Sequence, residues 1–189
     1  YWGLGWLSVP VTVIWIVGIT NSVNLIDGLD GLANGVSTIA AFSMLVVALM
    51  VSEQQVALTM AALVGACLGF MPFNRNPAKV FMGDTGSLFL GGAVAGLAFA
   101  LDIPLALVLV GIIYIIETLS DIIQVGYFKL THGKRVFKMA PIHHHFEMCG
   151  WKEVKIVLVF AAVSLVMCII AWFSIVKSYI LYISFGSCR

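Results

Sequence analysis

Three polar strings interrupt an otherwise apolar sequence, and each holds residues able to handle a phosphate or a hard metal ion. The first is Asn21-Ser-Val-Asn24-Leu-Ile-Asp27-Gly28-Leu-Asp30-Gly31-Leu-Ala33. Asn24, Asp27 and Asp30 recur at every third residue, so on a helix they share one face. Gly28 and Gly31 let backbone come close to a ligand. A carboxylate at the centre of a bilayer costs at least about 2.5 kcal/mol, so both aspartates belong at an interface or in a wet cavity. A simpler reading makes them N-terminal caps of the following helix. A calcium loop is a poorer match, because the glutamate that closes such a loop is missing.

The second string runs Phe73-Asn74-Arg75-Asn76-Pro77-Ala78-Lys79-Val80-Phe81-Met82-Gly83-Asp84-Thr85-Gly86-Ser87. Asp84 stands where a helix is expected to begin. The free N–H groups and positive dipole end there suit phosphate, and a carboxylate beside them suits Mg²⁺, which keeps waters and bridges phosphate oxygens. Lys79 can add a point charge for the same anion. The competing reading is again a cap with a glycine-rich turn. The third string is Pro141-Ile-His143-His144-His145-Phe-Glu147. Adjacent histidines point in different directions, and they match neither zinc spacings nor a helical i, i+4 pair. Imidazoles hydrogen-bonding an anionic substrate fit them better. Lys134, Arg135 and Lys138 nearby read individually as lipid-headgroup contacts. Finally, Glu117, Asp121 and Gln124 fall on one helical stripe. Acids on a membrane helix avoid lipid. They line a cavity or meet cations on another helix; Gln124, nearest the end, reads as cavity-lining.

The elements that must position these groups are apolar throughout. Of 189 residues, 61% are hydrophobic and 10% charged, and mean hydropathy is +1.07. Soluble domains carry about 25% charged residues, so this chain cannot cover a water-facing surface, and disorder is excluded with it. A net charge of +1 gives no nucleic-acid binder. The expected fold class is an all-α, polytopic membrane bundle, a single transmembrane domain over residues 1–189. At about 20 residues per span, the apolar runs give six spans: Leu4 to Leu25, Leu32 to Val51, Val56 to Phe73, Leu88 to Leu101, Leu105 to Tyr127 and Val154 to Val176. The fourth is short unless it begins before Leu88. Gly91, Gly92 and Gly96 within it are expected to allow close helix packing.

Six spans put the three polar strings on one membrane face. Eight of the ten cations lie there: Arg75, Lys79, Lys129, Lys134, Arg135, Lys138, Lys152 and Lys155. The positive-inside rule makes that face cytoplasmic. Cys67, Cys149, Cys168 and Cys188 show no paired spacing and read as reduced packing residues. Tyr1 is not preceded by a charged n-region, so no signal peptide is expected, and the sequence reads as beginning inside a longer protein.

Taken together, N-x-x-N-L-x-D-G-L-D-G-L-A, F-N-x-x-P-A-K-V-F-M-G-D-T-G-S-L and P-I-H-H-H-F-E, followed by Gly150, Trp151 and Glu153, resemble the polyprenyl-phosphate N-acetylhexosamine-1-phosphate transferases. The triple histidine is similar to the phospho-N-acetylmuramoyl-pentapeptide transferase branch. The resemblance implies a bacterial plasma-membrane enzyme of peptidoglycan synthesis. It would move phospho-N-acetylmuramoyl-pentapeptide from UDP to undecaprenyl phosphate, giving lipid I and UMP, with Mg²⁺ as cofactor and a homodimer as a further expectation. By the same resemblance Asp84 matches the Mg²⁺-binding aspartate, with Asp27 beside it as a second candidate, and Asp27, Asp84 and His143 are the catalytic candidates. Asn24 and Asp30 match pocket residues, Phe81 the aromatic that stacks on uracil, and Gln124, Ala140, His143 and His144 the border of the sugar or diphosphate. Asn74, Lys79 and His145 complete the substrate-binding set.

One departure is large. The family has about ten spans and a paired-aspartate motif in its first half, whereas no Asp-Asp pair occurs in these 189 residues. The chain therefore resembles the C-terminal six spans, and alone it is expected to lack transferase activity. A UDP-N-acetylglucosamine polyprenyl-phosphate transferase is the nearest alternative. An ion-coupled transporter is a more distant one, disfavoured because its carboxylates would sit near the midplane among internal repeats.

Overall fold

The computed structural model describes residues 5–186, with side chains through Lys177; Tyr1, Leu4, Cys188 and Arg189 lie outside the described residues. The polypeptide is helical, with no strand among the described residues. A 3-10 turn, Gly5–Leu7, leads into α1 (Ser8–Leu25), followed by α2 (Leu32–Met50), α3 (Gln54–Asn74) and α4 (Gly83–Ala100). After a turn at Pro104–Ala106 come α5 (Leu107–Val110), α6 (Ile112–Leu130), the short α7 (Ile142–Met148) and α8 (Glu153–Gly186).

The all-α membrane bundle is as expected, and two features refine its span count of about six. The fifth apolar run is broken, with the Pro104–Val110 piece bent 81° from α6. Gly111 makes the break, leaving helical geometry at φ −103 and ψ 27. A Cβ there would stand 2.8 Å from both the Leu107 carbonyl oxygen and the Tyr114 ring, so only glycine closes this corner. Second, α4 does begin before Leu88, but the residues it gains are polar: Asp84, Thr85 and Ser87 occupy its first turns. As a result four helices are long and apolar enough to cross a membrane, and five if the bent pair forms one span.

The core gathers on α2, whose small and branched residues Ala33, Val36, Ala40, Ala41, Met44 and Ala48 are almost wholly buried. Polar ties hold the bundle where hydrophobic pairing alone would not fix register. Tyr114 donates its hydroxyl to Ser37 Oγ at 3.0 Å, Thr118 to Ser22 Oγ at 2.6 Å, and the Asn34 amide to the Cys67 carbonyl at 3.2 Å. Outward-facing residues of α1, such as Val9, Val13 and Ile14, are apolar and exposed. Of the three glycines on α4, only Gly91 is closely approached: a Cβ there would meet Thr20 Cα at 2.7 Å, whereas Gly92 has only Thr20 Oγ1 at 3.9 Å and Gly96 has nothing within 4 Å. Close packing of α1 on α4 therefore rests on one residue, not three.

Candidate active site

The C-terminal ends of α1, α3 and α6 and the N-terminal ends of α2, α4 and α8 meet, and the three polar strings meet with them. Asn24, in the last turn of α1, donates its amide to Asp84 Oδ1 at 3.0 Å and to Ser87 Oγ at 2.9 Å. Both N–H bonds of one amide are thereby spent on the first turns of α4. Asp27, just past α1, faces the same helix end. Burial is the main reason its carboxyl is pushed up to about 6; repulsion from Asp84 adds to this, and a hydrogen bond from the Gly83 backbone opposes it.

The capping readings of these aspartates do not hold. The N-cap of α2 is Gly31, left-handed at φ 80, with no side-chain cap bond. The N-cap of α4 is Met82, also without one, and Asp84 lies inside the first turn. Asp30 is used differently: its Oδ2 accepts from the Ala78 N–H at 2.8 Å and from the Asn76 amide at 3.4 Å. Asn76 also donates to Glu153 Oε2 at 2.6 Å, tying the loop between α3 and α4 to the start of α8. Asn74 is buried and gives its amide to the Val80 carbonyl at 3.1 Å, so it shapes that loop from inside. Lys79 and Phe81 are exposed, Phe81 at 74%. Asp30→Ala is expected to release the loop: a hydrogen bond to a charged group is worth about 1.5 kcal/mol, so amide exchange at Ala78 should quicken about tenfold in hydrogen-exchange measurements.

The three histidines have three different surroundings. His143 is wholly buried, with Nδ1 3.0 Å from Oε2 of the equally buried Glu117. His144 pairs with Glu147 and is partly exposed. His145 Nδ1 accepts from the Lys138 N–H at 3.1 Å. No cluster of three metal-ligating side chains occurs among the described residues. The first string reaches this one at Gly28, where a Cβ would stand 2.5 Å from His143 Nε2 and 3.5 Å from His144 Nε2. Gly28 thus opens space for imidazoles of the same chain.

The stripe on α6 divides. Glu117 meets His143. Gln124 clamps the following loop, accepting from the Val136 and Phe137 N–H groups at 3.1 and 2.9 Å and donating to the Phe137 carbonyl at 3.0 Å. Asp121 lines a cavity of about 420 Å³ together with Gln124, Ala140, Lys129, Arg135 and the apolar Val125, Phe128 and Met139. Sequence reasoning did not find the roles of Asn76, Ser87 and Glu153, nor the pairing of Glu117 with His143. The one available signal was position: Ser87 lies one residue beyond Gly86 on the helix face of Asp84, and Glu153 opens α8.

The sequence model of glycosyl transferase family 4 matches residues 2–102, more than half of the chain, and takes in the first two polar strings. The chain belongs to glycosyl transferase family 4. Curated relatives bear the name phospho-N-acetylmuramoyl-pentapeptide-transferase. One from Acetivibrio thermocellus is 55% identical over 173 residues, covering 91% of this chain and 52% of the relative. One from Clostridium perfringens is 54% identical, covering 91% and 53%, and one from Listeria monocytogenes is 52% identical, covering 89% and 52%. The chain spans about half the length of the curated relatives it matches. Within that glycosyl transferase portion lie Asn24, Asp27, Asp30 and Asp84, the residues whose contacts build the site.

Proposed function

We propose that the protein transfers phospho-N-acetylmuramoyl-pentapeptide from its UDP carrier to undecaprenyl phosphate, releasing UMP and forming lipid I, and that this chain supplies its nucleotide-sugar side. The observation that carries the reading is the junction of α1 with α4, where Asn24 fixes Asp84 beside Asp27 at a helix N-terminus. Phosphoryl transfer needs positioning and charge neutralisation more than covalent chemistry. The free N–H groups of α4 offer a seat for phosphate oxygens, exposed Lys79 adds a cation, and exposed Phe81 offers a face on which a base can stack. His143 and His144, packed against Gly28, border the same space, with His145 anchoring the loop behind them and Gln124 and Ala140 facing the adjoining cavity.

Mg²⁺ fits the donor set. Asp84 and Asp27 are near enough for one charge to raise the other's affinity for a proton, and an ion that keeps waters and phosphate oxygens needs only one or two carboxylates. Asp84 would hold it, with Asp27 alongside; when bound, the ion neutralises charge on the diphosphate. Because a proton competes for Asp27, apparent Mg²⁺ affinity should fall as pH drops through about 6, as measured by Mg²⁺ titration at several pH values; affinity unchanged from pH 7.5 to 5 would remove Asp27 from the set. For folding the sign is the reverse. A carboxyl raised from 3.8 to about 6 makes ionisation costly, so stability declines as pH rises through that window and the full cost applies above it.

The same reading has the site at the cytoplasmic face of a bacterial membrane, which eight cations on that face support through the positive-inside rule, and includes a dimeric assembly. The full-length protein, given UDP-N-acetylmuramoyl-pentapeptide, undecaprenyl phosphate and Mg²⁺, should release UMP with lipid I as product. Preference for UDP-N-acetylglucosamine in a side-by-side assay would move it to the neighbouring branch. The 189-residue chain alone, without an Asp-Asp pair, should form no lipid I.

A further inference from the structure

We propose, on the footing of the transferase reading above, that Glu117 is a positioning residue that acts through His143. Both side chains have no exposed surface and meet at 3.0 Å, Nδ1 to Oε2. Glu117 projects from the second turn of α6 and His143 from the first turn of α7, 26 residues later, so the contact fixes the loop's short helix against the bundle. The carboxylate occupies Nδ1. That leaves Nε2, which has no hydrogen-bond partner among the described residues and lies against Gly28, between Asp27 and Asp30 in sequence.

A buried polar nitrogen without a partner costs about 1–3 kcal/mol, and a buried acid–base pair is weak evidence of stabilisation. Packing alone would favour apolar residues at both positions. The arrangement has a function if the cost keeps one nitrogen committed and the other open towards the loop that bears the aspartates. Glu117 accepts the Nδ1 proton, which keeps Nδ1 committed and turns Nε2, buried and without a partner among the described residues, towards the loop that bears Asp27 and Asp30, the side from which the nucleotide-sugar would be met. Other titratable groups near the ring are Asp121, one turn along α6, and His144, whose centroid is 4.1 Å from that of His143. Neither is hydrogen-bonded to it, so the orienting contact belongs to Glu117. Loss of such an outer partner costs about 10–100-fold for histidines that bind metal, and a loss on that scale is expected for an imidazole oriented towards substrate.

The test is a double-mutant cycle in the full-length protein, with UMP release as the assay. E117L is expected to lower kcat about 30- to 100-fold with little change in KM, and E117Q, whose amide oxygen still accepts from Nδ1–H, to stay within about tenfold of the parent. H143A should lose at least as much as E117L, and the E117L/H143A pair no more than H143A alone, because the effects of residues acting as a unit do not add. Additive losses, or full activity in H143A, would overturn the proposal. Absence of transfer by the parent protein would instead refute the transferase reading. A variant-free measurement guards against misfolding: in protein labelled with 15N-histidine, the His143 ring should show a protonated Nδ1, and a ring protonated on Nε2 alone would overturn the assignment whatever the variants do.

Discussion

Asp84→Asn is expected to cut lipid I formation by about 10³-fold or more, the scale on which a single charge at a transferring phosphoryl group acts. The substitution keeps size and shape. The oxygen of the new amide can still accept from Asn24, whose donation to Oδ1 at 3.0 Å ties α1 to α4, so the helix junction and thermal stability should hold. What disappears is a negative charge at the end of α4. The loss should therefore fall on kcat and on the Mg²⁺ requirement, with the midpoint of a Mg²⁺ titration moving to higher concentration. The neighbouring acid gives an internal control: repulsion from Asp84 helps raise the Asp27 carboxyl, so Asp27 should titrate lower in the variant. Near-normal turnover with an unchanged Mg²⁺ midpoint would refute the assignment of Asp84.

The sequence made the helical runs visible because a membrane leaves little alternative to apolar helices, and five of the six helix starts or ends that carry the site were placed within a few residues. Asp84 at the start of α4 followed from Gly83 and the apolar run behind it. The bend at Gly111 did not follow, because hydropathy reports which residues avoid water and carries no direction. Nor could spacing show that Asp30 would serve the backbone of Ala78, 48 residues away: an acid at the second residue before a helix looks the same whether it caps that helix or accepts from a distant loop. Adjacent histidines are expected to point in different directions, yet the first two rings lie 4.1 Å apart and both reach Gly28. That the first would be buried against Glu117 depends on how α7 docks, which no local pattern encodes. Gly91, Gly92 and Gly96 are the plainest case, since three glycines on one helix differ only in what stands opposite them.

That difference yields a second large effect. Gly91→Val is expected to destabilise the protein by about 3 kcal/mol, the upper end for overpacking a filled interior, and to weaken the site at the same time. The Cβ would lie 2.7 Å from Thr20 Cα, 2.9 Å from the Thr20 carbonyl oxygen and 3.1 Å from Val23 Cβ. Backbone atoms cannot rotate away, so α1 and α4 must separate. Asn24 lies one turn beyond Thr20, and Ser87 one turn before Gly91, so the separation opens at the hydrogen bonds from Asn24 to Asp84 and Ser87. A lower melting temperature in detergent should therefore come with weaker Mg²⁺ binding at temperatures where the variant is still folded. Gly96→Ala is the matched control. It adds a Cβ to the same helix where nothing lies within 4 Å, and exchanging glycine for alanine in a helix gains about 0.5–1 kcal/mol, so it should leave Mg²⁺ binding untouched and melting level or higher. Equal losses in the two variants would mean that α4 tolerates no added side chain anywhere, and the close approach at Gly91 would then not be what holds Asn24 on Asp84.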